Sequence, residues 1–372
     1  MKGIKILAIA AAAATGVATS SCLEDDVNTI LVDPANPAQG VNGGNGGNGG
    51  NNGGDNKPGK PVSYDLRFYM TGLRNPDNGE WLRLVGSGSA GQNARVKIDG
   101  KETKAAFINS DDPEATVFKA DIALLVDNSE SMEEENDAIA AGIKDWTAAL
   151  SSDKLDIRYA AVGHSEEGTI NGATDFSTAE NLEAFFNYRS GRDRTAHFSG
   201  PGSDRLQREA EGYPTLNTEC CMLALRFGDE QLSFREDAER VYISFTDEPN
   251  QPYGNAEYSA DWLLDNWERR MGEVHTVYSA EEPTEWISLI SEPARLLSER
   301  TGGTVTYTDP AMSGFSLEGY SLSEALKHSY IAHFPNIADY CDGKAHQVEI
   351  TAHWADGSVA GKKLLTTVFT KD

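Results

Sequence analysis

The stretch Ala120-Asp-Ile-Ala-Leu-Leu-Val-Asp127-Asn-Ser129-Glu-Ser131-Met132 carries the strongest structural signal of the chain. An apolar run of buried-strand length stops abruptly at Asp127, and a helical pattern begins just after Met132. Three oxygen-bearing side chains, Asp127, Ser129 and Ser131, therefore collect where a strand ends. Alternate residues of a tight loop can aim several such groups at one centre. Carboxylate, hydroxyl and water oxygens in near-octahedral array are what Mg²⁺ and Mn²⁺ favour.

Further along, Val241-Tyr-Ile-Ser-Phe-Thr-Asp247-Glu-Pro is a second apolar strand ending in an acid, and 273–278 and 303–308 read as further strands with amphipathic helices between. With these residues in place, roughly 118–335 resembles the von Willebrand factor A-type (integrin I-like) domain. The resemblance implies a metal-ion-dependent adhesion site built from D-x-S-x-S, a Thr from a second loop and an Asp from a third. Asp127, Ser129, Ser131 and Asp247 match four of its members. For the Thr, Pro214-Thr-Leu-Asn-Thr218 offers two candidates, and Thr218 is preferred to Thr215 because it lies closer to the helical run Met222-Leu-Ala-Leu. Thr174 and Asp175 are outside alternatives. The implied cofactor is Mg²⁺ or Mn²⁺, and the implied partner is a protein presenting an acidic residue to the ion. The acids following Met132 resemble those that form an adjacent calcium site in integrin β chains, which makes Glu134 and Glu135 candidates for a second, Ca²⁺ site. The alternative is that Glu133–Glu135 only complement the helix dipole.

Rival readings of the same loop are testable in the sequence. An EF-hand starting at Asp127 needs Gly at its sixth position and Glu at its twelfth, where Met132 and Ala138 stand. Ser129 and Ser131 acting merely as helix caps would explain neither the strand before them nor Asp247. Gly163-His-Ser165-Glu-Glu-Gly168 has the wrong spacing for a hydrolase elbow, and no nucleophile–base constellation suggests an enzyme.

At the amino end, Lys2 and Lys5 precede the apolar Ile6–Val17, and small residues lead to Cys22. This is the layout of an export signal over 1–21, too short to span a bilayer. Thr-Ser-Ser-Cys at 19–22 resembles a lipoprotein cleavage box, which would make Cys22 the acylated first residue. The acids Glu24–Asp26 resemble surface-export tags of some Gram-negative lipoproteins, so the expected location is the outer membrane, facing the periplasm or the cell surface. Residues 22–61 are rich in Asn-Gly-Gly units and poor in large apolar groups, hence a tether; its root-mean-square reach would be roughly 35 Å.

The formal charge of −26 becomes −28 once Lys2 and Lys5 leave with the signal. Nucleic acid and anionic membrane surfaces are poor partners for such a field, leaving the lipid anchor as the membrane contact. With Cys22 acylated, Cys220, Cys221 and Cys341 leave room for one bridge, from Cys220 or Cys221 to Cys341. The pair Cys221–Cys341 is the expectation, and no histidine stands at zinc-ligand spacing from it.

Periodicity organises the rest. Ile139, Ile143, Trp146 and Leu150 form one stripe of a helix over 133–150; 157–163 reads as a strand, 178–190 as a helix and 191–217 as a long polar loop. Helices near 219–227, 259–270, 285–300 and 318–332 alternate with strands at 240–246, 273–278 and 303–308, which argues for an α/β, doubly wound and mainly parallel sheet. Short strands at 64–74, 80–87, 94–99 and 103–108, and again at 347–354 and 363–369, make both flanks β. The expected organisation is a β-sandwich-like domain from 62–117 plus 336–372, with the von Willebrand A-like domain, 118–335, inserted in it. The expected function is capture of a partner carboxylate through a divalent metal. The alternative is a structural scaffold of an envelope complex in which the metal only rigidifies loops.

Overall fold

The computed structural model describes residues 61–75, 78–279, 290–309, 312, 316 and 320–370. The export signal, Cys22 and the tether up to residue 60 lie outside these residues, as do residues 285–289 of the expected helix 285–300, whose described part is helical only from Arg295.

A six-stranded sheet forms around β5 (Phe118–Asp127), which is buried along nearly its whole length. Beside it run β6 (Leu155–His164) and β8 (Glu239–Thr246), both parallel to it, then β9 (Glu273–Tyr278) and β10 (Val305–Tyr307), also parallel. The order is β10-β9-β8-β5-β6-β7, and only the edge strand β7 (Ile170–Ser177) is antiparallel. Successive side chains of a strand point to opposite faces. Ile122, Leu124 and Val126 accordingly pack with Ile139, Ile143 and Trp146 of helix α1 (Glu133–Ala149) and with Phe185 and Phe186 of α2 (Ala179–Phe186). Ala123 and Leu125 face the other way, onto Met222, Leu225 and Phe227 of α5 (Cys221–Gln231) and Leu297 of α7 (Arg295–Thr301). The result is a mixed α/β fold whose mostly parallel sheet carries an apolar core on each face.

The interruption of the apolar run at Asp121 is explained at the amino end of the sheet. Asp121 is fully buried and takes both Arg158 (3.0 and 2.7 Å) and Arg235 (2.9 Å, plus the Arg235 amide at 2.7 Å), a bidentate arrangement that satisfies a charge with no access to water.

Two antiparallel sheets share a third core. One has the order β1-β11-β4, from Tyr64–Phe68, Tyr330–Phe334 and Ala106–Asn109; the other has β13-β12-β2-β3, from Val359–Thr367, His346–His353, Ala94–Ile98 and Lys101–Thr103. Phe68, Tyr330 and Phe334 of the first sheet meet Val96, Ile98, Val348 and Ile350 of the second. Strands from both flanks of the chain thus interleave, with β5 to β10 lying between β4 and β11 in sequence. A buried polar chain joins this part to the six-stranded sheet. Lys363 of β13 pairs with Glu273 of β9 at 2.7 Å, Tyr69 donates to the same carboxylate at 2.8 Å, and the Thr304 amide donates to His275 Nδ1. Burial pulls the His275 pKa down to about 4, so the ring is neutral and its Nε2–H faces the Tyr69 oxygen at 3.1 Å.

Several expectations are corrected. The stretch 191–217 is not one polar loop: it holds α3 (Gly191–Ala196) and α4 (Asp204–Glu211), whose Leu206 and Ala210 reach the core. The helix expected over 318–332 is only α8 (Ser321–Lys327); the chain then turns into β11, which pairs with β1 and β4, so 330–334 belongs with the antiparallel sheets rather than before the 335–336 boundary. Residues 80–87 form no strand beyond an isolated bridge between Arg74 and Trp81. Cys220, Cys221 and Cys341 are all free, so the Cys221–Cys341 bridge is not formed. Cys221 packs under the six-stranded sheet, and Cys341 packs against the core of the antiparallel sheets.

Candidate metal site

The carboxyl ends of β5 and β8 bring the acids together. Asp127 ends β5 fully buried, and Thr246, the last residue of β8, places Oγ1 2.8 Å from Asp127 Oδ2. The Ser129 amide donates to Asp127 Oδ1 at 3.2 Å, closing the turn that carries the two serines. Their hydroxyls lie 3.0 Å apart, and Ser131 Oγ donates to Asp247 Oδ1 at 3.2 Å. Four of the five expected residues are therefore linked hydrogen bond by hydrogen bond. The capping alternative fails, because helix α1 begins after Met132 with no side-chain cap.

Asparagines brace this loop. Asn136 of α1 donates to the Asp127 carbonyl at 3.0 Å, and Asn128 donates to the carbonyls of Arg194 and Thr195 at 2.8 and 3.1 Å. Arg194 in turn pairs with Asp137 of α1, fixing α3 beside the loop.

Thr218 is placed by two neighbours. Gly168 approaches so closely that a Cβ there would lie 2.4 Å from the Thr218 carbonyl oxygen, and at φ +65° a side chain would be strained as well. The Thr218 hydroxyl donates to the Gln251 carbonyl at 2.8 Å, which leaves its lone pairs open. Thr215 is exposed. Asn250, wholly buried, holds the adjoining start of α5: its Oδ1 accepts from the Met222 amide at 3.0 Å, and its Nδ2 donates to Glu292 and the Tyr258 carbonyl. Asp175 belongs elsewhere, bound to Ser233 and Arg205, and Thr174 is buried within β7. Glu134 and Glu135 diverge. Glu134 is exposed, whereas Glu135 is buried and accepts from Ser279 Oγ at 3.2 Å.

Electrostatically the site is an excess of negative charge. Burial, reinforced by Asp127, pushes the Asp247 pKa up to about 6. Glu248 rises to about 7 through burial and the Asp247 and Asp127 charges. Glu219 rises to about 8 through burial and then Asp127, Glu248 and Asp247. Among the described residues no Lys or Arg forms an ion pair with any of these four acids. Carboxylates forced together without a counter-charge, with hydroxyls and no sulfur or imidazole among the expected ligands, fit a hard divalent cation of the Mg²⁺ or Mn²⁺ type. Sequence reasoning missed Glu219, Glu248 and Thr246. Thr246 and Glu248 flank Asp247 and could have been found from that adjacency; Glu219 carried no signal beyond standing next to Thr218.

No family model and no curated protein matches the chain. Among solved structures it is similar to the conserved hypothetical protein BatB of Bacteroides thetaiotaomicron, at 12% identity and a TM-score of 0.36, covering 56% of this chain and 98% of that one. An aerotolerance-related membrane protein of Bacteroides fragilis is similar at 11% identity and 0.33, with the same coverage of 56% and 98%. The pilus adhesin SpaC of Lactobacillus rhamnosus GG follows at 12% and 0.35, covering 79% of this chain and 50% of that one.

Proposed function

We propose that this chain is a von Willebrand A-type binding module that captures an acidic side chain of a protein partner through a divalent cation. The observation that carries this reading is the hydrogen-bonded convergence of Asp127, Ser129, Ser131 and Asp247 at the carboxyl ends of adjacent parallel strands, where open α/β sheets bind their ligands. In this reading Ser129, Ser131 and Thr218 hold Mg²⁺ or Mn²⁺, and Asp127 and Asp247 hold it directly or through water. The cation supplies an open coordination position that a partner carboxylate fills. The chain's own residues do the rest. Asn128 and Asn136 keep the loop in one conformation before binding, and the buried acids Glu219 and Glu248 add charge that favours a divalent ion.

For location, the proposal is an outer-membrane lipoprotein anchored through Cys22. No helix among the described residues is long and apolar enough to cross a membrane.

Pulldown from intact cells or host matrix at physiological ionic strength, comparing wild type with the Ser129→Ala/Ser131→Ala double variant, tests the capture. EDTA and the double variant should each abolish it while the thermal midpoint moves by no more than a few degrees, since small hydroxyls of a loop rather than apolar core side chains are lost. Capture surviving both treatments would favour a scaffold in which the ion only stiffens loops.

A further inference from the structure

Far from Asp127 in the fold, the antiparallel sheets carry two adjoining hollows that share residues 80–83. One, of about 460 Å³, lies between Trp81 and Trp354. The other, of about 500 Å³, is lined by Trp81 together with Lys327 and His328. Both volumes fall within the range of small-ligand sites. The strip between them is held before any ligand arrives. The Trp81 indole stacks flat on the His328 ring, 4.3 Å between centroids and 9° between planes. Tyr330 donates to the Leu82 carbonyl at 3.0 Å, and Asn93 donates to the Arg83 carbonyl at 2.9 Å. Trp354 sits at the tip of the β12–β13 hairpin, where Asp356 Oδ1 closes the turn through the Ser358 amide and hydroxyl at 2.9 and 2.6 Å.

We infer that this paired groove is a binding site for a neutral oligosaccharide, independent of the metal. The half-buried Trp354 indole and the part of Trp81 that His328 leaves uncovered offer apolar surface to the C–H faces of sugar rings, and fixing Trp81 in advance removes part of the ordering cost of binding. Around them the rim carries the Glu80 carboxylate, which accepts from Asn78 on one oxygen at 2.9 Å, the Asp356 carboxylate, whose Oδ1 is taken by Ser358, and the Arg83 guanidinium, held by Asp111 and Asp112. A carboxylate accepts only, so it calls for a ligand that donates, as sugar hydroxyls do. A proline-rich peptide also seeks aromatic ridges, yet its prolines lack N–H donors and present carbonyl acceptors, which two carboxylates would repel. The formal charge of −26 selects against polyanionic glycans and leaves neutral ones.

The test is a printed array of neutral α- and β-linked oligosaccharides probed with the full chain, followed by calorimetric titration of the best member. Saturable binding is expected. Trp354→Ala and Glu80→Gln should each weaken it at least about tenfold, with the unfolding midpoint little moved because Trp354 stands on a hairpin tip and Glu80 is exposed. EDTA and Asp127→Ala should leave it intact, which separates this site from the metal-dependent one. Failure to bind any array member, binding that survives Trp354→Ala, or a proline-rich peptide binding in a Trp354-dependent way where no glycan does would each overturn the inference.

Discussion

Asp127 earns its place by what surrounds it: full burial, a Thr246 hydroxyl on one oxygen and the Ser129 amide on the other. Its neighbours make the site's charge measurable. The pKa values of Asp247, Glu248 and Glu219 are pushed up to about 6, 7 and 8, above the ordinary carboxylate range. Between about pH 4 and pH 8 the folded chain therefore holds protons that the unfolded chain has released, and stability without divalent cation should fall as pH rises through that window. Urea unfolding in EDTA across the window checks this, and Glu219→Gln should flatten the slope; stability that climbs with pH, or an unchanged slope, would contradict it. Asp127, Ser129, Ser131 and Asp247 were legible in the sequence because they stand at, or within four residues of, the end of a largely apolar run of strand length. Glu219 was not, because its closeness to Asp127 depends on how the 214–219 segment folds back, which no local pattern encodes.

At the scale of elements, the parallel strands and α1 were readable because fully buried strands and an Ile139–Ile143–Trp146 stripe leave strong periodic signals. The edge strand β7 was not. Ile-Asn-Gly-Ala-Thr-Asp-Phe-Ser is poor in β-branched residues, and Gly172 is needed there for a tertiary reason, since a Cβ would sit 1.6 Å from the Phe198 carbonyl oxygen. The placement of α5 likewise rests on a distant residue. Cys220 offers no side-chain cap, and Asn250 supplies the missing acceptor to the Met222 amide. Asn250→Ala would leave that amide and the Glu292 carboxylate without this partner inside the protein. It should cost about 1–3 kcal/mol by thermal or chemical unfolding, and it should weaken Mg²⁺ binding because Thr218 and Glu219 lead into this helix. An unchanged affinity would mean that the 218–219 segment is held by Gly168 and Gln251 alone.

At the scale of the molecule, strands from both ends of the described chain interleave in two antiparallel sheets, and the six-stranded sheet lies between them in sequence. The β character of both flanks was legible from short alternating runs and turn residues. The pairing of 330–334 with β1 was hidden, because Tyr-Ile-Ala-His-Phe continues a helix-like pattern and only its partner strands decide otherwise. If the chain is tethered through Cys22, Cys22→Ser should move it from the membrane fraction to the soluble fraction with its unfolding midpoint unchanged; unaltered fractionation would mean attachment elsewhere. If a divalent cation binds where β5 and β8 end, calorimetric titration of Mg²⁺ or Mn²⁺ into EDTA-stripped protein should show one saturable site in wild type that disappears in folded Asp127→Ala; a wild type without any such binding, or an Asp127→Ala variant that binds as well, would contradict it.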